Sequence, residues 1–138
     1  MTIILDTNVL PAVMASEPAV VVWLDRQSSS SVWTTSVTIY EIRYGLMAMP
    51  AGRRRTEREI AFDNIIESDL DGRVLSFDRA AAEEAARLTV ERRTAGCPGE
   101  SRDTMIAGIA LAQRATLATR NVRHFDDLSV PVVDPWSA

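Results

Sequence analysis

Apolar residues fall along this chain in two rhythms. Five short apolar runs, residues 3–6, 32–35, 73–77, 116–119 and 130–133, are bounded by Asp, Gly, Ser or Pro. Runs of that length and composition predict strands buried in a sheet. Between them lie longer stretches in which apolar residues recur every three or four positions, the helical period. Residues 12–27 form the first; Pro18 suits a helix start, and Val20, Val21, Val22, Trp23 and Leu24 are all apolar. A helix over 37–49 follows, with Ser36 as its cap. Arg53-Arg54-Arg55 opens the next, where Arg53–Glu57 and Arg55–Glu59 are spaced for i,i+4 pairs and Ile60, Phe62, Ile65 and Ile66 supply an apolar side. Asp78 caps an Ala-rich helix over 79–95, and Gly96 stands where a helix ends. After the turn Gly96-Cys97-Pro98-Gly99, a last helix opens at Ser101-Arg102-Asp103-Thr104 and carries Met105, Ile106, Ile109, Ala110 and Leu111. Pro135-Trp136 reads as a hydrophobic plug at the end of the chain.

Strands alternating with helices predict an α/β fold with a parallel sheet covered on both faces. With 138 residues and 46% hydrophobic content the chain fits one domain, residues 1–138, with a sizeable core. No apolar run approaches the roughly 20 residues a membrane span needs, and no signal-peptide pattern opens the chain. Cytoplasmic location is the expectation. Cys97 is the only cysteine and His124 the only histidine, which excludes a disulfide framework and a Cys/His zinc cluster.

The net charge of −4 argues against gripping nucleic acid over a broad basic surface. All 15 basic residues are arginines. Arginine is the better bidentate phosphate ligand, but a genome rich in G and C gives the same bias. The Arg53–Arg55 run reads as a solvated face before a phosphate patch. An acidic protein remains compatible with nuclease chemistry where bound cations, rather than side chains, neutralise the phosphate.

Three carboxylates change the picture. Asp6 ends the first apolar run, where it either caps a helix starting at Thr7 or Asn8 or stands at a ligand site. Glu41 lies in a helix apolar nearly all round, which predicts burial. A buried carboxylate needs a partner, either Arg43 or another arginine, or a metal ion. Asp103 falls in the first turn of the last helix, where the macrodipole alone accounts for an acid and would also keep a ligand ionised. Asn121, just past the fourth strand, adds a polar group. In a strand order of 3-2-1-4-5, strands one and four are neighbours and the crevice lies at their carboxyl ends. Acids gathered there repel by roughly 4 kcal/mol per pair at 4 Å and an effective dielectric near 20. A cation relieves this, and oxygen-only ligands favour Mg²⁺ or Mn²⁺. Such an ion activates water and polarises a phosphate.

Four stretches carry a family likeness: Ile4-Leu5-Asp6-Thr7-Asn8, Thr38-Ile39-Tyr40-Glu41-Ile42-Arg43-Tyr44-Gly45, Asp103-Thr104-Met105-Ile106-Ala107, and Leu117-Ala118-Thr119-Arg120-Asn121-Val122-Arg123-His124-Phe125. In their order and spacing the chain resembles a PIN-domain nuclease, specifically the VapC/FitB-like toxins of type II toxin–antitoxin modules. The likeness runs essentially end to end. It implies a Mg²⁺- or Mn²⁺-dependent endoribonuclease that hydrolyses RNA phosphodiester bonds and forms a homodimer. It also implies a cognate antitoxin that blocks the site and alone brings the pair to operator DNA. By position, Asp6, Glu41 and Asp103 match the family's catalytic, metal-binding acids. Many members carry a further acid just past the fourth strand; here Asn121 and His124 stand there. Asn121 can ligate through its amide oxygen or a bound water without adding charge, and Asp126 is a substitute if it is not simply a loop residue. One tightly held ion, with a second recruited by the substrate phosphate, fits that set.

Thr7, Asn8 and Thr119 are either donors that orient the carboxylates or ordinary cap and turn residues. His124 reads as a surface or packed residue before a general base. Trp23, Trp33 and Trp136 read as core or interface before base-stacking platforms. Two other functions compete. A receiver-like phosphoacceptor module shares the sheet and the acidic pocket, but the chain has none of the lysine such modules place opposite the acid. A catalytically weak PIN scaffold, acting mainly in an antitoxin–operator complex, is favoured only by Asn121.

Overall fold

The computed structural model describes residues 1–138. The five apolar runs form strands β1 (Ile3–Leu5), β2 (Val32–Thr35), β3 (Val74–Leu75), β4 (Thr116–Ala118) and β5 (Val132–Val133). They pair in parallel in the order β3-β2-β1-β4-β5. The first-made strand is therefore the middle of the sheet. Ile3 pairs with Val32 on one side and with Thr116 on the other. Parallel strands need crossover connections, and helices supply them.

Side chains alternate across β1. Ile3 and Leu5 enter one core with Val9, Leu10, Val20, Trp23, Phe62 and Ile65. Ile4 enters the other with Leu88, Ile106, Ile109, Leu117 and Phe125. The first core lies under α1 (Val9–Met14), α2 (Pro18–Asp25) and α4 (Arg53–Asn64); the second lies under α5 (Arg79–Thr94) and α6 (Ser101–Gln113). The remaining helix, α3 (Ser36–Ala48), spans both, placing Val37 in the second core and Leu46 in the first. A wide π turn, Ile65–Asp69, leads from α4 toward β3.

Helices α5 and α6 approach closely at Gly108. A Cβ there would stand 2.5 Å from the Ala81 carbonyl oxygen and 2.8 Å from the Ala85 Cβ. Only a residue without a side chain fits, so this glycine sets the depth at which α6 packs. That depth in turn positions the first turn of α6, where Asp103 sits.

Several boundaries differ from the sequence expectations. The 12–27 stretch is two helices, because Ser16 takes a left-handed φ of 54° and breaks the run before Pro18. Pro18 opens α2 as anticipated. Asp6 and Thr119 stand one residue past the ends of β1 and β4, although their backbone N–H groups still bond the Ala118 and Val133 carbonyls. The edge strands β3 and β5 keep only two residues each. Thr35, not Ser36, caps α3 by accepting the Thr38 N–H, while the Ser36 hydroxyl accepts the Phe77 N–H. The cap at Asp78 and the turn at Gly96 are as expected.

Helix α3 is not buried all round. Its outer face leaves Tyr40, Tyr44 and Met47 60%, 65% and 63% exposed. The Arg102 guanidinium lies 6.0 Å from the centroid of the Tyr40 ring, yet all three side chains stay exposed. No helix is long and apolar enough to cross a membrane.

Candidate active site

Asp6 follows the last residue of β1 at the carboxyl edge of the sheet. Its backbone N–H continues the ladder to the Ala118 carbonyl at 2.9 Å, so the sheet itself fixes its position. The side chain is 3% exposed. The Thr7 N–H donates to Oδ1 at 2.8 Å and the Thr119 hydroxyl donates to Oδ2 at 2.7 Å. Burial is the largest influence on this carboxyl and pushes its pKa up to about 6. The two hydrogen bonds oppose that rise, and the charges of Asp103 and Glu41 add to it. Asp6 does not cap α1: Asn8 precedes that helix, and no side chain closes its first turn.

Glu41 is held by a run of hydroxyls. The Thr7 hydroxyl donates to Glu41 Oε1 at 2.8 Å. An ionised carboxylate only accepts, so Thr7 must accept from Thr38, whose hydroxyl lies 3.1 Å away. Thr38 accepts in turn from Thr35 at 3.3 Å. The three hydroxyls therefore point one way, toward the acid. Thr7 thus joins the acids of β1 and α3, its N–H on Asp6 and its hydroxyl on Glu41. Arg43 is not Glu41's partner; it pairs with Asp63 and stacks on Phe62 at 4.8 Å. The cation near Glu41 is Arg102, at 3.8 Å, and it also reaches Glu100 at 3.4 Å.

Asp103 lies in the first turn of α6 as expected, with its side chain 21% exposed. His124 Nδ1 stands 3.2 Å from Asp103 Oδ2. The sole histidine is exposed, as expected, and its ring also touches a candidate acid. Asn121 lies just past β4. Its backbone N–H donates to the Thr119 hydroxyl at 3.0 Å, while the residue itself is exposed. Asn8 links the same residues, donating to Thr119 at 3.3 Å and to Asp6 at the long distance of 3.5 Å. Asp126 is exposed on the loop.

Arg92, overlooked in the sequence, organises the far side of the site. It is 5% exposed on α5 and makes a forked pair with Asp127 at 2.8 and 2.9 Å. It also donates to the Thr104 hydroxyl at 3.0 Å and to the His124 carbonyl at 2.9 Å. One guanidinium thereby ties the start of α6 to the loop after β4. The Asp127 hydrogen bonds raise the Arg92 pKa, and Arg92 holds the Asp127 carboxyl below its ordinary value. A cavity of about 580 Å³ opens beside this clamp, lined also by Asp103 and Arg123.

Glu41 and Asp103 stand close enough to Asp6 for their charges to add to the rise in its pKa. The three do not form a finished cage, since no three Asp, Glu, His or Cys side chains stand together as a ligand set. Glu41 is bonded to Thr7, and Asp103 lies against His124. The donor set is nonetheless all oxygen. It is built on a carboxylate that burial and like charges hold partly protonated near neutral pH. Those features fit a hard divalent cation, which would relieve both penalties.

A model of the PIN domain matches residues 3–130. The chain is 36% identical over 136 residues to the VapC ribonuclease Y4jK of Sinorhizobium fredii, covering 97% of each chain. It is 30% identical over 136 residues to toxin FitB of Neisseria gonorrhoeae, covering 97% of this chain and 98% of that one. Among solved structures, FitAB bound to a DNA fragment superposes with a TM-score of 0.87 at 30% identity, covering 98% of this chain and 96% of that chain.

Proposed function

The chain belongs to the PIN-domain family, and from that premise we propose that it is the endoribonuclease toxin of a type II toxin–antitoxin pair, hydrolysing RNA phosphodiester bonds with Mg²⁺ or Mn²⁺. The observation that carries this is Asp6: a carboxylate fixed by the sheet, buried, and pressed by two further acids. Asp6, Glu41 and Asp103 would hold the ion. When bound, it supplies Lewis acidity toward the phosphate and lowers the pKa of a water.

The chain's own residues do the rest. Thr119 and the Thr7 N–H fix both oxygens of Asp6, so its orientation does not depend on a ligand. The aligned hydroxyls of Thr35, Thr38 and Thr7 hold Glu41 facing Asp6. The His124 ring, 3.2 Å from the Asp103 carboxylate, restricts it. Such supports typically change metal affinity or rate by about 10–100-fold when removed.

A cognate antitoxin is the proposed partner, and operator DNA is reached only through it; the relatives named for toxins and the FitAB–DNA structure support both. The uncovered apolar face of α3 supports a homodimer. The weak-scaffold alternative draws on Asn121, whose side chain stays outside the hydrogen-bonded network.

One experiment separates them. Purified protein is given synthetic RNA with Mn²⁺, with EDTA, and as Asp6→Asn and Asp103→Asn variants. Mn²⁺-dependent cleavage lost in both variants is expected. Cleavage that survives EDTA overturns the metal mechanism, and no cleavage by the parent chain favours the scaffold.

A further inference from the structure

Arg120 directly follows Thr119, whose hydroxyl holds Asp6. Its backbone N–H donates to Asn8 Oδ1 at 3.2 Å, and Asn8 in turn donates to Thr119. The main chain of Arg120 is thus tied to the rim of the carboxylate cluster. Its side chain is exposed and lies over the indole of Trp136, with Cζ 4.7 Å from the ring centroid. The ring is itself fixed. Trp136 Nε1 donates to Glu17 Oε2 at 3.0 Å, its backbone N–H donates to Asp134 at 2.9 Å, and the indole packs on the first core.

Stacking a guanidinium on an aromatic face occupies its plane but leaves its N–H edge free. The other cations of the site are engaged: Arg92 by Asp127, and Arg102 between Glu41 and Glu100. Arg123 is exposed on the same loop and has no aromatic rest. A polyanion approaching three carboxylates on a chain of charge −4 meets repulsion. A cation already ordered beside them offsets this locally, and little rotamer freedom is then lost on binding.

We propose that Arg120, braced by Trp136, anchors a phosphate of single-stranded RNA flanking the bond to be cleaved. This rests on the ribonuclease function above. Arg120 is a binding and positioning residue; it holds the strand and takes no part in the bond-breaking step.

The test is binding of a fluorescein-labelled single-stranded RNA, followed by anisotropy in Ca²⁺ over a range of NaCl concentrations. Arg120→Ala is expected to weaken binding about tenfold at low salt. It should also lower the slope of log Kd against log salt by about 0.7, the value for one phosphate contact on a single strand. Trp136→Leu keeps the charge but frees it, so affinity falls a few-fold with the slope unchanged. Arg26→Ala, an exposed arginine at the end of α2 away from the carboxylate cluster, serves as the control and leaves both quantities near those of the parent chain. A purely structural role for Arg120 does not move the salt slope. The proposal is overturned if Arg120→Ala keeps the parent slope and affinity, if Arg26→Ala matches it, or if the parent chain binds no RNA. Mn²⁺-dependent cleavage is measured separately. Cleavage absent with Arg120-dependent binding intact sinks the hydrolase function and leaves the anchor, whereas cleavage intact with an unchanged slope does the reverse.

Discussion

Replacing Asp6 with asparagine keeps the shape of the side chain and removes its ability to ionise. In the folded protein this carboxyl titrates at about 6 against 3.8 in the unfolded chain. The folded state therefore holds the proton more tightly, and stability from this group is complete below pH 3.8 and lost as pH rises through 6. At about 1.36 kcal/mol per pH unit the full loss is roughly 3 kcal/mol. Asparagine escapes this cost. It must, however, present one acceptor where two donors, Thr7 N–H and the Thr119 hydroxyl, now converge; that mismatch costs about 1 kcal/mol. Without metal at pH 8, Asp6→Asn should then be about 1–3 kcal/mol more stable than the parent chain, while losing activity. Urea denaturation in EDTA at intervals from pH 4 to pH 8 reads the difference. The advantage should grow up to about pH 7 and then level off. Mn²⁺ should erase it by stabilising only the parent chain, by about 2.7 kcal/mol at 100 times its Kd. A variant less stable than the parent at every pH, or an advantage indifferent to pH, would refute the reasoning.

Three further outcomes are expected. Thr7→Val removes the hydroxyl that joins Thr38 to Glu41 and should reduce Mn²⁺ affinity or cleavage by about 10–100-fold, measured by titration calorimetry and initial rates, with only a small change in melting temperature. Gly108→Ala should destabilise by about 1–3 kcal/mol despite alanine's better helix propensity, because the added methyl meets a backbone oxygen; denaturant midpoints will show it. Asp127→Ala leaves the buried Arg92 without its anion and should cost about 2–3 kcal/mol, below the usual 3–5 for fully buried pairs because Asp127 is half-exposed. The parent chain should lose the same contribution in acid, since the Asp127 carboxyl is held below 3.8 and protonates only as pH falls beneath that value.

The sheet was largely legible because its strands are apolar on both faces, and β2 has its expected bounds. Asp6 and Thr119 fall one residue beyond their strands for a physical reason: each still donates its N–H to the neighbouring strand, but the chain turns immediately after it. Glu41 was found by asking what a carboxylate does among apolar neighbours. The same question applied to α5 would have found Arg92, which shares a helical stripe with Ala81, Ala85 and Leu88. The outer face of α3 misled, because tyrosine and methionine read as core whether or not the chain itself covers them. The His124–Asp103 contact joins positions 21 residues apart through a loop after β4, and no local pattern predicts where such a loop lands. The cation–π rest of Arg120 on Trp136 is equally non-local, joining one strand's exit to the chain's end.

The central place of β1 has a consequence for synthesis. Asp6 leaves the ribosome 113 residues ahead of its fixing partner Thr119. At about 5–20 residues per second, that gap lasts on the order of ten seconds. During it the nascent chain has a β1 flanked on at most one side and no closed acidic corner. Truncated translation products ending before β4 should therefore be inert. A cell making this protein meets its activity all at once, when the last fifth of the chain slots beside the first strand.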